Sequence, residues 1–199
     1  MFEKQQLQDK LFCFCFFNNK TLHICEVYAF FFLPLQKRNN MDKEATLKLI
    51  EQNDNVGMYS ICFMDDNISE FEKFMAKCRK NSRIQPEYQT ILLALEKIME
   101  KGALERFFRA EGKMSDNVVA LSLDSRKLRL YCLRLSDKIL ILGNGGIKTT
   151  RTYQEDETLL GYVCTLQTFN ELLKEAQQKE LIKIYGTVIT NIDNTIFEL

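Results

Sequence analysis

The sequence predicts an α+β fold: an antiparallel β-meander with a two-helix layer on one face, followed by a C-terminal helix. Three observations lead there. Between Val118 and Leu142, three short runs of strand-forming residues follow one another with brief connections, as antiparallel strands allow and parallel ones do not. Ahead of them, two segments carry the apolar period of helices, at about 68–80 and from Pro86 to Gly102. Behind them, 165–178 repeats that period through Leu166, Phe169, Leu172, Leu173 and Ala176. Two consecutive helices can cover one face of a twisted sheet, which leaves the other face partly open.

Taken in order, residues 1–40 stand apart. FCFCFF and LHICEVYAFFFLPL are rich in phenylalanine without a clear period. A signal peptide is disfavoured, because Glu26 interrupts the apolar run and no small-residue cleavage site follows. A membrane span is disfavoured too, since the run offers about 14 residues where roughly 20 are needed. The expectation is that Met41 is the initiator and 1–40 a spuriously translated leader, with a genuine but poorly packed arm as the alternative. Residues 41–199 are then a single domain.

Glu44–Gln52 reads as a short helix with Leu47 and Ile50 on one side. Val56–Met64 is rich in strand formers and short, hence a strand. Ser69 with Glu72 forms a capping box ahead of Phe71, Phe74, Met75 and Cys78 at helical spacing. Pro86 opens the next helix, whose stripe of Tyr88, Ile91, Leu92, Leu95, Ile98 and Met99 is a core-facing side. Arg106, Arg109 and Lys113 then bring positive charge toward the sheet. The meander comprises Val118–Leu123, Lys127–Leu135 and Lys138–Leu142, with a turn at Ser136-Asp137. In its middle strand Leu128, Leu130 and Cys132 point one way and Arg129 and Tyr131 the other, although Leu133, Arg134 and Leu135 blur the pattern and leave partial cover of both faces as the alternative. The tail adds a hairpin around Tyr185-Gly186.

Composition narrows the chemistry. The chain has 27 basic and 27 acidic residues, which excludes indiscriminate coating of nucleic acid and permits a local patch. Seven scattered cysteines and a single histidine, His23, suit reduced thiols in the cytoplasm and supply neither a zinc site nor a nucleophile–histidine pair. No metal and no cofactor are expected. Cys132 and Cys164 read as small buried hydrophobes. The patch itself is Lys127 to Tyr153, where Arg126, Lys127, Arg129, Arg134, Lys138, Lys148 and Arg151 crowd together. KILILGNGGIKTT imitates a phosphate-binding loop, but Ile147 separates Gly146 from Lys148 and TTRTY is a poor helix start. The glycines are expected to turn the chain with φ > 0.

Cleaving RNA through its own 2′-hydroxyl requires loss of that proton, stabilisation of a five-coordinate phosphate and protonation of the leaving oxygen. Clustered cations supply the second without a metal, and a lysine or tyrosine of lowered pKa supplies one of the others. Arg129, Tyr131, Arg134, Lys148, Arg151 and Tyr153 are expected within one concave patch, flanked by Lys127. A solvated basic strand face, or one that docks an acidic protein, is the simpler reading, and charge alone favours it.

Arg129-Leu130-Tyr131, the following hairpin and Gly146-Ile147-Lys148-Thr149-Thr150 resemble the RelE/ParE toxin superfamily, and within it the phage-derived HigB-like branch. The resemblance covers roughly 56–175, its sharp part about 25 residues. It implies a RelE-like fold and the cytoplasmic toxin of a bacterial type II toxin–antitoxin system. Such a toxin is an endoribonuclease that cleaves mRNA on the ribosome without a metal, is held inactive by a helix-turn-helix antitoxin, and has no membrane partner. Carried over, Arg129 and Lys148 would hold the phosphate, with Tyr131 or Arg151 in weaker support and Arg134, Tyr153 and Lys127 binding RNA. The chain departs from the pattern at Thr149, where the branch has a second lysine, and at Gly146, where it has an aromatic. From Met41 onward there are 22 basic and 24 acidic residues, whereas such nucleases are commonly basic. A non-catalytic relative that binds a protein or DNA through the same sheet face is the alternative.

Overall fold

The first element is decided by the asparagines that follow it. Asn53 Oδ1 accepts from the amides of Asn55 (2.9 Å) and Val56 (3.0 Å), and the Asn53 amide donates to the Val56 carbonyl (3.0 Å). That closes a hairpin, so Glu44–Gln52 is strand β1, not the expected helix, paired antiparallel with β2 (Gly57–Phe63) from Ala45↔Phe63 to Gln52↔Gly57. Ala45 and Leu47 alternate inward, the period of two that the helical reading passed over. The computed structural model describes residues 43–111, 116–121 and 127–199. The reading of 1–40, Arg126, Lys113 and the end of the strand expected over 118–123 lie outside them.

Helix α1 (Glu70–Arg79) starts at Ser69 with the expected capping box, and α2 (Gln85–Lys101) has Pro86 in its first turn and stops at Gly102, φ 87°. Strands β3 (Phe108–Ala110), β4 (Val118–Leu121), β5 (Leu128–Ser136) and β6 (Ile139–Ile147) follow, then α3 (Glu157–Gln178). A hairpin of β7 (Ile184–Tyr185) and β8 (Val188–Ile189) turns through Gly186, φ 57°, as expected, and β9 (Phe197–Glu198) closes the edge beside β1. The sheet has seven strands in the order β3-β4-β5-β6-β2-β1-β9 and is antiparallel except where β2 runs parallel to β6. The fold is therefore α+β, with a mostly antiparallel sheet and three helices.

Both faces of the sheet are covered, more fully than the partly open second face expected from two helices on one side, and in line with the partial cover of both faces read from Leu133, Arg134 and Leu135. On one side α1 and α2 pack over Met58, Leu128, Leu130, Cys132, Leu140 and Leu142. On the other, α3 packs over Tyr59, Ile61, Tyr131, Leu133, Ile139 and Ile141. The alternation expected for the middle meander strand holds, but both sets are buried, as the near-continuous apolar runs of β5 and β6 require. Helix α3 begins eight residues earlier than its apolar period was read. Asp156 caps it, accepting from the amides of Thr158 (3.0 Å) and Leu159 (3.1 Å), and Gly161 in the second turn hides the stripe that starts at Leu159.

The glycine run is a second correction. Gly143, Gly145 and Gly146 lie within β6, and only Gly102 and Gly186 among the described glycines have positive φ. The run is needed for proximity: a Cβ on Gly145 would stand 1.9 Å from the Arg129 carbonyl oxygen, and one on Gly143 would stand 3.0 Å from the Leu166 methyls. The strand register also shifts between Leu130 and Cys132, so β5 bends against this small-residue stretch. None of the described helices is long and apolar enough to cross a membrane. Cys62, Cys78, Cys132 and Cys164 are free thiols; Cys132 is buried as read, whereas Cys164 faces outward on α3.

Candidate functional site

Pairing of β5 with β6 puts Arg129 opposite Gly146, and the Lys148 amide donates to the Lys127 carbonyl (2.7 Å). Lys127, Arg129 and Lys148 thus share one end of two adjacent strands. Beside them, β3 and β4 align Arg109 with Ala120 and Ala120 with Tyr131 across the face that α3 covers. The segment after β6 returns over this corner. The result is an open cleft of about 310 Å³ lined by Arg109, Ala110, Glu111, Lys148, Thr152, Tyr153 and Gln154.

Within the cleft, Arg109 and Glu111 form an ion pair at 2.6 Å. Lys148 is half-buried, and among the described residues no carboxylate lies within ion-pair distance of its ammonium. It is the cleft's positive pole. Lys127 and Arg151 are exposed near the rim. Arg129 lies underneath, 9% exposed, with Nη1 donating to the Leu128 carbonyl (3.1 Å). It is not among the residues that line the cleft, and its Nε is buried.

Tyr131 is fully buried, its ring edge-on to Tyr153 with centroids 6.3 Å apart. Its hydroxyl has no hydrogen-bond partner among the described residues. Burial, reinforced by Glu111, pushes its phenol pKa up, and burial and Glu111 push Tyr153 the same way. The requirement was a lysine or a tyrosine of lowered pKa; both tyrosines are shifted against it. Nothing bound in the cleft reaches Tyr131 directly.

Arg134 is elsewhere. It lies five residues along β5 from Arg129, roughly 16 Å away at strand rise. There Nε donates to the Ala103 carbonyl (2.7 Å) and Nη2 pairs with Asp137, tying the β5–β6 turn to the end of α2. The single patch expected from the sequence is thus two regions, and only Lys148, Lys127, Arg151, Tyr153 and the enclosed Arg129 gather at one of them. Sequence reading had placed Arg109 near the sheet but passed over Glu111, Thr152 and Gln154. A three-residue strand such as β3 leaves no period to find them by. No group of three or more His, Cys, Asp or Glu side chains able to hold a metal occurs among the described residues.

No protein-family model matches the chain, and neither a curated protein nor a solved structure does.

Proposed function

We propose that the chain is a RelE/HigB-like toxin of a bacterial toxin–antitoxin pair, acting on the ribose-phosphate backbone of mRNA at the Lys148 cleft. One observation carries the reading: Arg129 and Lys148, about twenty residues apart in sequence, converge at one end of β5 and β6 beside an open cleft. Lys148 is the group positioned to meet a phosphate, and Lys127 and Arg151 extend the attraction along an RNA strand. Arg129 supports the site from beneath, at the β5 position opposite Gly146. Tyr131 holds the floor; its phenol stays protonated and takes no part in proton transfer. The antiparallel run of β4, β5 and β6 behind the α1–α2 layer is the arrangement that the resemblance led one to expect.

The second reading, a non-catalytic relative that binds a protein or DNA, is favoured by the raised phenols and by the cover that α3 lays over the sheet. Inducible expression of the full chain in a bacterial host decides between them. Growth arrest with transcript cleavage, both lost in Lys148→Ala, is the expected result. Healthy growth at high expression refutes the toxin reading. If purified protein then binds DNA and cuts no RNA, and Lys148→Ala lowers the slope of log affinity against log salt by about 1, the second reading stands.

A further inference from the structure

A second cleft, of about 340 Å³, shares no lining residue with the Lys148 cleft. Its position follows from topology. β2 and β6 are parallel neighbours, but the chain leaves β2 for α1 on one face and β6 for α3 on the other. Parallel neighbours whose next helices lie on opposite faces part beyond their carboxyl ends, and such crevices are where open sheets bind ligands. Here the ladder ends at Ser60↔Leu142. Ser60 Oγ donates to the Leu142 carbonyl (2.7 Å) and accepts from the Phe71 amide (3.1 Å), so α1 begins where the strands separate. Asn144 fills the gap behind it, donating to Glu70 Oε2 (2.7 Å) while its Oδ1 accepts from the Gly145 amide (2.8 Å).

The walls of the crevice are mostly apolar, with Phe74, Ile84 and Leu159 from the two helical layers and Leu128 and Ile147 from β5 and β6. One cation is held at the wall. Lys77 Nζ donates to Asn144 Oδ1 (2.7 Å), the Gly145 carbonyl (3.2 Å) and the Tyr162 hydroxyl (2.9 Å), 4.7 Å from the Tyr162 ring centroid. All three acceptors are neutral, and among the described residues no carboxylate lies within ion-pair distance of Lys77. The position of the ammonium is therefore fixed while its charge is left uncancelled. Asp156 lines the same crevice and Glu70 stands behind Asn144, so a second negative charge on a ligand would meet repulsion.

We propose that this crevice binds a small amphipathic monoanion, its flat apolar body between Phe74, Ile147 and Leu159 and its carboxylate beside Lys77, accepting from the Tyr162 hydroxyl, which accepts from Lys77 and keeps its own proton to donate. A volume of about 340 Å³ is within the range of small-molecule sites, roughly 300–1,000 Å³. The site is independent of the proposed toxin activity, and either stands without the other.

The test uses the full chain, isotopically labelled, titrated with 2-naphthoate, with neutral 2-naphthalenemethanol and with 2-naphthyl phosphate, while amide resonances are followed. Naphthoate is expected to shift the amides of Gly145, Gly146, Thr158 and Leu159 and to bind about tenfold more tightly than the alcohol, the worth of one charge-assisted contact. The phosphate is expected to bind more weakly than naphthoate. Lys77→Met should bring naphthoate down to the affinity of the alcohol. Should that variant not fold, Ile84→Phe fills the crevice away from the ammonium and should abolish binding of both. Shifts spread over the surface or centred on the Lys148 cleft overturn the proposal. So do equal affinities for acid and alcohol, tighter phosphate binding, or a preference that survives either substitution.

Discussion

Two buried tyrosines on the same face of the sheet are expected to respond in opposite directions when their hydroxyls are removed. Tyr59, 1% exposed, donates to the Thr187 carbonyl (3.1 Å) and accepts from the Ile189 amide (2.9 Å), pinning the β7–β8 hairpin to β2. Tyr59→Phe leaves that buried amide without an acceptor, a loss of about 1–3 kcal/mol. Tyr131 is 0% exposed and its hydroxyl has no partner among the described residues. An uncompensated buried hydroxyl costs about 1–3 kcal/mol on the scale of protein mutations, and Tyr131→Phe removes it while keeping the ring against Tyr153. A gain of about 1 kcal/mol is the conservative expectation. With a urea m-value of about 1–3 kcal/mol/M, the midpoint rises by about 0.3–1 M for Tyr131→Phe and falls at least as far for Tyr59→Phe. The comparison requires equal m-values. A fall for Tyr131→Phe as large as that for Tyr59→Phe would refute the reasoning, because it would mean that the phenol has a partner. The variant also tests the floor role given to Tyr131: a stabilised protein that has lost RNA cleavage would make the phenol part of the chemistry.

The other predictions concern glycines and thiols. Gly145→Ala drives a methyl into the Arg129 carbonyl oxygen and should cost about 1–3 kcal/mol by forcing β5 and β6 apart, whereas exposed Gly161, whose added Cβ meets nothing within 4 Å, should gain about 0.5–1 kcal/mol as alanine. Denaturant melts of the pair check both signs. Burial raises the Cys132 thiol from 9.0 to about 12, and Cys78 follows to about 11. The folded state therefore keeps its protons while the unfolded thiols ionise, so stability present below pH 9 is lost as pH rises toward 12, by up to about 1.4 kcal/mol per pH unit for Cys132. Urea midpoints between pH 7 and 10.5 should fall less steeply for Cys132→Ala than for the parent, and parallel curves would contradict the assignment.

Much of the scaffold was legible because its signals are local. The Ser69–Glu72 capping box, Pro86 with Gly102, and the turn at Ser136-Asp137 each fix a boundary through side-chain or backbone chemistry within a few residues. Glu44–Gln52 was misread because Leu47 and Ile50 fit a helical spacing while Ala45, Leu47 and Leu49 fit a strand, and the pairing with β2 that decides between them is supplied by the rest of the fold. The short β3 and β9 owe their existence entirely to neighbours, so neither Glu111 nor the edge at Phe197 had a local signature. The cleft was half legible: Lys148 and Arg129 belong to it, but which of their neighbours face it depends on the β4–β5 register.

The basic stretch that stood out on a neutral chain carries charges with different tasks. Arg134 spends its donors on Ala103 and Asp137, and Arg129 is enclosed, so the charge excess overstates what a ligand can meet. What remains is a lysine at the end of a strand that could not run so close to its neighbour with any side chain at Gly145. A flexible glycine turn would have let Lys148 swing; an extended strand bonded to Lys127 holds its backbone in place. A fixed backbone lowers the ordering cost of meeting an anion. The glycines therefore serve the candidate site by close packing, and the rigidity of that packing, more than the number of cations in the stretch, makes Lys148 the residue on which the proposed activity turns.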